Sequence, residues 1–216
     1  MSKNYWEEVY QSKQADQVSW YQQYDHKTLE LIRSQNLLPD VKLIDVGSGA
    51  SLLIDQLIEA GYKNIHVLDL SETALKTTQA RLIEKNLDSS QIHWLVADVC
   101  TVGLAAQFFD VWHDRAVFHF MVTEEQQAQY LKNVRHALKP SGLMILSTFA
   151  EDGPTQCSGL PVERYNVEKL AQRLGGNFSL LHQALETHIT PWGAEQKFLN
   201  TIWQFKGQNY TEDSPS

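Results

Sequence analysis

The segment Leu43-Ile44-Asp45-Val46-Gly47-Ser48-Gly49-Ala50-Ser51-Leu52 constrains this chain more than any other. An apolar run that breaks at a glycine pair and resumes as an amphipathic stretch reads as buried strand, tight turn and helix start. Glycine lets the backbone bend sharply and lets a ligand approach it closely. At the carboxyl end of a first strand, such a turn lines the crevice where open α/β sheets bind nucleotides. The same alternation continues downstream. Residues 41–46, 64–69, 92–97, 109–112 and 143–149 read as buried strands, and 51–60, 71–86 and 123–138 carry helical spacing. Ser71 followed by Glu72, and Thr123 followed by Glu124 and Glu125, supply N-caps and first-turn acids. Strand–helix–strand repetition implies parallel pairing, right-handed crossovers and a doubly wound α/β sheet covered on both faces.

The two ends depart from this pattern. Residues 1–38 read as a helical extension that carries Tyr5, Trp6, Tyr10, Trp20, Tyr21 and Tyr24. Residues 178–189 and 197–206 read as longer strands joined around Pro191-Trp192-Gly193. With no crossover helix between them, they should pair antiparallel. A length of 216 residues suits one ample domain and not two. That domain is expected over 1–207: the extension at 1–38, a cofactor-binding core at 40–150, and a substrate-side loop and final strands at 151–207. Residues 208–216 read as a polar tail. Eighteen basic against 26 acidic side chains leave a charge of -8 with no basic stripe, which disfavours nucleic acid and anionic membrane as partners. Cys100 and Cys157 stand far apart, giving neither a disulfide framework nor a zinc site. No apolar run approaches the roughly 20 residues of a membrane span, and no signal peptide is visible. A cytoplasmic location is expected.

Three acids end successive strands on the ligand-binding edge. Asp45 precedes the glycines, Asp69 closes the second strand 20 residues after Gly49, and Asp98 closes the third. A carboxylate at Asp69 is placed to accept both hydroxyls of a ribose, and Asp45 to face a cationic amino-acid moiety. With these in hand, Asp45-Val-Gly-Ser-Gly, Asp69, Ala97-Asp98, Phe109-Asp110-Val111 and Leu138-Lys139-Pro140-Ser141-Gly142 resemble the ordered motifs of class I S-adenosylmethionine-dependent methyltransferases. The resemblance implies a Rossmann-like, seven-stranded, mostly parallel sheet with an antiparallel last strand. It implies that Gly47, Ser48 and Gly49 run along the methionine moiety, that Asp69 and Leu70 meet the ribose side, and that Asp98 and Val99 flank the adenine. Asp114 would close the site after the fourth strand. Ser51 stands where the family often has a third glycine and is read as a helix cap. A nicotinamide dinucleotide is the weaker alternative, because Leu52 occupies the third glycine position of its fingerprint.

Methyl transfer from a sulfonium needs alignment and desolvation more than a strong base. The segment from Phe109 to Phe120 leaves the fourth strand where the methyl group should lie. Within it, Asp114-Arg115 resembles the Trp-Asp-Arg segment of thiopurine methyltransferase-like enzymes, which act on small molecules. His113, Asp114, Arg115 and His119 are the candidate catalytic residues: the histidines as bases, Arg115 to orient an anionic or aromatic substrate. No metal pattern is present. In the resembled family, segments before the first strand often fold over the donor, which gives Trp20, Tyr21 and Tyr24 a lid role and puts an aromatic face beside a sulfonium. Tyr5, Trp6 and Tyr10 are read as docking the extension. The expected reaction is methyl transfer to a small molecule. The alternative is a protein lysine, since Tyr5-Trp6-Glu7 resembles an early segment of some lysine methyltransferases. A non-catalytic donor-binding protein is the third reading.

Overall fold

The computed structural model describes residues 2–13, 17–21 and 26–207; Tyr24 and the tail at 208–216 lie outside them. Among the described residues two α-helices precede the sheet, α1 (Lys3–Ser12) and α2 (His26–Ser34). The core then alternates β1 (Lys42–Val46), α3 (Leu53–Glu59), β2 (Asn64–Asp69), α4 (Glu72–Glu84), β3 (Ile92–Val96), β4 (Phe109–Arg115), α5 (Glu124–Ala137) and β5 (Leu138–Phe149). A small hairpin, β6 (Gln156–Cys157) and β7 (Leu160–Pro161), follows, then α6 (Val167–Leu174), β8 (Phe178–Ile189) and β9 (Glu195–Phe205). Among the described residues no helix is long and apolar enough to cross a membrane.

The seven-stranded sheet runs β3-β2-β1-β4-β5-β9-β8. Strands β1 to β5 pair in parallel, while β9 lies antiparallel to both β5 and β8. Strand order reverses on either side of β1, so the carboxyl ends of β1 and β4 diverge and open a crevice. Alternation along each strand divides the core. Leu43, Val67, Val111, Ile145 and Ile202 pack with α2, α3 and α4 on one face. Ile44, Leu68, Trp112, Met144 and Trp203 pack with α5 and α6 on the other.

Several elements differ from the sequence-based expectation for identifiable reasons. β4 continues through His113-Asp114-Arg115, because β1 and β5 pair it from both sides (Val46↔Asp114, Arg115↔Ser147). Its apolar pattern stops at Trp112, so polarity concealed the last turn of the pleat. β5 begins at Leu138, with a register irregularity opposite Phe109 and Val111 and with Ser141 at φ 66°. Inside the expected substrate-side loop that begins at 151 lies the β6–β7 hairpin. Beyond it α6 was hidden by its brevity, although Asn166 caps it by accepting from Lys169 N at 2.8 Å and Gly175 ends it at φ 77°. Ser51 does not cap α3 as expected. The helix starts at Leu53, and Ser51 Oγ lies 3.4 Å from Leu53 N.

Candidate active site

The glycine turn is held from below by β2. Gly47 N and Ser48 N donate to Leu68 O at 2.7 and 3.2 Å, and Gly49 N donates to Asp69 Oδ2 at 2.8 Å. The other carboxylate oxygen of Asp69 accepts from Ser71 N at 2.8 Å. Gly47 and Gly49 adopt φ values of 64° and 57°, the left-handed region that glycine enters without strain. Neither position has room for a Cβ, which would overlap Val117 Cγ2 at Gly47 and the Tyr10 hydroxyl at Gly49. Burial pushes the Asp69 carboxyl up to about 6, against the opposing pull of its backbone donors.

Two adjoining cavities occupy the crevice. The first is lined by Asp69, Leu70, Asp98 and Val99 from the ends of β2 and β3. The second is lined by Asp45, Ser48, Tyr21 and His113. Tyr10, Trp20, Gly47 and Arg115 border both and mark the junction. The structure thus gathers Trp20, Asp45, Gly47, Ser48, Asp69, Leu70, Asp98, Val99, His113 and Arg115 around one crevice, with Gly49 bonded behind it.

Asp114 and His119 lie elsewhere. Successive side chains of β4 alternate, so His113 and Arg115 face the crevice while Asp114 points through the sheet. There its carboxylate accepts from Val117 N at 2.9 Å, from Phe118 N at 3.0 Å and from the Tyr130 hydroxyl. It fixes the turn after β4 and touches neither cavity. His119 sits in the 3-10 turn Phe118–Phe120, its ring centroid 4.6 Å from those of both Phe120 and Phe149. Burial lowers its pKa to about 3, which leaves the ring neutral.

The polar groups that do face the crevice are incompletely satisfied. His113 Nδ1 donates to Asp45 Oδ1 at 2.6 Å, a pair imposed by the β1–β4 register Asp45↔His113. Arg115 Nη1 donates to Trp20 O at 3.1 Å, and its guanidinium lies 4.8 Å from the Phe198 ring centroid. Asp45 Oδ2, Ser48 Oγ and Arg115 Nη2 are buried with no hydrogen-bond partner among the described residues. Each such group costs about 1–3 kcal/mol if left unsatisfied. Three of them on one cavity call for a polar ligand bearing both donors and acceptors.

The cover of the crevice includes residues whose part the sequence did not disclose. Trp6 and Tyr10, four apart on one face of α1, line the first cavity; that spacing was the available signal. Trp6 packs edge-on against Trp20 at 5.7 Å and Phe120 at 5.2 Å. α1 is anchored at two points. Glu7 accepts from Ser71 Oγ at 2.8 Å and from the Thr73 hydroxyl at the start of α4, and the Tyr5 hydroxyl donates to Ser158 O. Cys157, in the long segment after β5, also lines the first cavity.

Comparison with known proteins meets this geometry directly. A methyltransferase-domain family profile matches residues 44–146. EEF1A lysine methyltransferase 2 of Danio rerio is 22% identical over 160 residues, which is 68% of each chain. The longer eEF1A lysine and N-terminal methyltransferase of the same fish is 27% identical, but the match spans only 22% of its length. Among solved structures, one described for the conversion of a disulfide bond into a thioacetal group during echinomycin biosynthesis superposes with a TM-score of 0.77 at 14% identity, covering 98% of this chain and 94% of that one. The 1,6-didemethyltoxoflavin-N1-methyltransferase of Burkholderia thailandensis, solved with S-adenosylhomocysteine and its substrate, gives 0.65 at 18% identity over 91% and 80%. The glycine cradle without room for Cβ atoms and the unpartnered Asp45 carboxylate oxygen and Ser48 hydroxyl fit an adenosyl amino acid that carries hydroxyls and an ammonium. The domain at residues 44–146 and the seven-stranded fold are those of a class I S-adenosylmethionine-dependent methyltransferase.

Proposed function

We propose that this methyltransferase acts on an amino group of a protein side chain, a lysine. The alignment with the zebrafish lysine methyltransferase over 68% of both chains is the observation that carries this reading. The acidic balance of the chain, -8, favours encounter with a basic partner.

In this reading Asp69 accepts the ribose hydroxyls of the donor, with Leu70, Asp98 and Val99 about the adenine in the first cavity. Gly47, Ser48 and Gly49 follow the methionine portion into the second, where Asp45 Oδ2 accepts from its ammonium. The donor supplies a methyl group already activated on a sulfonium. What the protein contributes is alignment and exclusion of water at the junction of Tyr10, Trp20, Gly47 and Arg115. An amine must reach that junction with a free lone pair. The positive charge of Arg115 disfavours a second cation beside it and so promotes the neutral amine. His113, oriented by its bond to Asp45, is the group placed to take the proton as the nitrogen–carbon bond forms. Asp114 and His119 serve from behind by fixing the turn that follows β4. The cytoplasm is the proposed compartment, consistent with two free cysteines.

A second reading has its own support. The unpartnered Arg115 Nη2 suits a carboxylate or another anionic group on a small molecule. The toxoflavin-precursor methyltransferase, whose fold covers 91% of this chain, acts on a small molecule. The resemblance of Asp114-Arg115 to thiopurine methyltransferase-like enzymes points the same way. Radiolabelled methyl donor incubated with cell extract separates the two. Label released as methyl-lysine on hydrolysis of the polypeptide fraction supports the protein reading. Label confined to low-mass metabolites replaces it with the second.

A further inference from the structure

Outside the donor crevice lies a third, more open cavity. Its walls come from residues 18–20, from the β6–β7 hairpin at Gln156–Gly159, and from Trp192 and Gln196 at the β8–β9 end of the sheet. Trp20 lines all three cavities, Cys157 is shared with the first and Val18 with the second. The vestibule therefore meets the donor junction at Trp20. Its walls are braced by His188 Nε2 donating to Ser19 O at 2.8 Å, by Arg115 on Trp20 O and by Tyr5 on Ser158 O.

Two residues give this cavity a chemical preference. Gln196 is only 8% exposed, and its Oε1 has no hydrogen-bond partner among the described residues. A carbonyl oxygen only accepts, so it calls for an N–H or O–H donor. Trp192 is 62% exposed, and an indole face attracts a cation or covers an aliphatic stem. Among the described residues of the lining Lys13 is the one cation, and it is exposed at the end of α1.

We infer that this vestibule is the acceptor entrance and that it recognises the aminoalkyl chain of a lysine, with Gln196 Oε1 accepting from the amine and Trp192 packing over the stem. This rests on the amine-acceptor reading but is testable without turnover. The probe is N-α-acetyl-lysine methylamide, titrated into the full chain in the presence of S-adenosylhomocysteine. The indole N–H signals of the six tryptophans are followed by NMR, that of Trp192 being identified by its loss in Trp192→Phe. A saturable shift of the Trp192 signal is expected, at roughly millimolar affinity for so small a fragment. Gln196→Leu should weaken it at least fivefold, while Gln196→Glu, which keeps an acceptor oxygen, should retain it. Affinity for S-adenosylhomocysteine should be unchanged in all three variants, which also reports that they fold. The norleucine analogue of the probe, lacking the ammonium, should not saturate. Equal binding of the two analogues, wild-type affinity in Gln196→Leu, or tighter binding of the glutamate analogue overturns the inference. Lysine-selective binding here, alongside label found only in metabolites, would uphold the vestibule and sink the lysine-acceptor reading. Labelled polypeptide with no such binding would do the reverse.

Discussion

The floor of the crevice and its cover are built from contacts of very different reach. On the floor, Gly49 N bonds to Asp69 across 20 residues, and Ser71 N to the same carboxylate across 2. In the cover, Arg115 reaches Trp20 across 95 residues, Tyr5 reaches Ser158 across 153, and His188 reaches Ser19 across 169. The floor's bonds join backbone amides to a buried carboxylate at the ends of packed strands, so they form with the sheet. The cover's bonds are few and join separate elements. Segments held in this way open at a fraction of the global unfolding cost. A donor must enter and its product must leave, which requires one side of the crevice to yield. The floor should stay formed while the cover opens, and each variant below tests that division.

The largest effect is expected at Gly47. Alanine there meets Val117 Cγ2 and a φ of 64°. Backbone strain and overpacking each cost about 1–3 kcal/mol. Donor affinity in Gly47→Ala should fall roughly 100-fold, which corresponds to about 2.7 kcal/mol. Titration calorimetry with S-adenosylhomocysteine reads it, and adding Val117→Ala should recover part of the loss. An affinity within threefold of wild type would mean that the floor adjusts as easily as the cover. Next comes Arg115, the link between them. Arg115→Ala removes the bond to Trp20 O and should lower kcat about 30-fold, or about 2 kcal/mol, with donor affinity changed less than threefold. A comparable loss of donor affinity would place Arg115 in the floor.

The same division accounts for what could be read from the sequence. Gly47, Gly49, Asp69 and Asp98 were legible because strand ends, turns and their acids recur at short spacings set by the βαβ unit. β8 and β9 were legible as an antiparallel pair because a short loop leaves no room for a crossover. The cover was largely illegible. The spacing of Trp6 and Tyr10 marks a shared helix face but not the crevice it covers, and Gln196 becomes notable only once it is buried without a hydrogen-bond partner for its Oε1 among the described residues. Asp114 and His113 show a subtler limit. They are adjacent and both polar, yet the pleat sends one into the crevice and the other to Tyr130, and the facing was fixed only when the extent of β4 was known.

At Asp69 the expected loss is about tenfold in donor affinity on substitution by Ala, as for a charge-assisted pair of hydrogen bonds. Its pH dependence is more diagnostic. The folded pKa is raised from 3.8 to about 6, so the unliganded protein holds a proton on Asp69 below about pH 6. A protonated carboxyl is a poorer acceptor, and donor affinity should therefore rise as pH passes upward through about 6 and then level. Asp69→Asn should flatten that profile. For folding the sign is opposite: ionising a buried acid of raised pKa costs stability as pH climbs from about 4 to 6. Asp114 shares the raised value of about 6 but lies outside the cavities, so a profile unaltered by Asp69→Asn would assign the titration to it and detach Asp69 from the donor.

The smallest effect should come from Glu7, which ties the cover to the start of α4. Hydrogen bonds from the Thr73 and Ser71 side chains hold its carboxyl down at about 2, although burial works against them. A carboxylate at a helix N-terminus also meets the unpaired amides and positive end of the dipole. Because the folded pKa is depressed, the stabilisation is fully present above about pH 4.5 and is lost as pH falls toward 2. Glu7→Gln keeps an acceptor oxygen and removes the charge, so it should cost about 1 kcal/mol. For a chain of this length that is a fall of roughly 2–4 °C in Tm, vanishing in melts at the acid end of the range. Donor affinity should move less than threefold, since no floor contact is touched. If Glu7→Gln weakened the donor as much as Asp69→Ala does, α1 would belong to the donor site itself, and the crevice would have two indispensable walls rather than a fixed floor and a yielding cover.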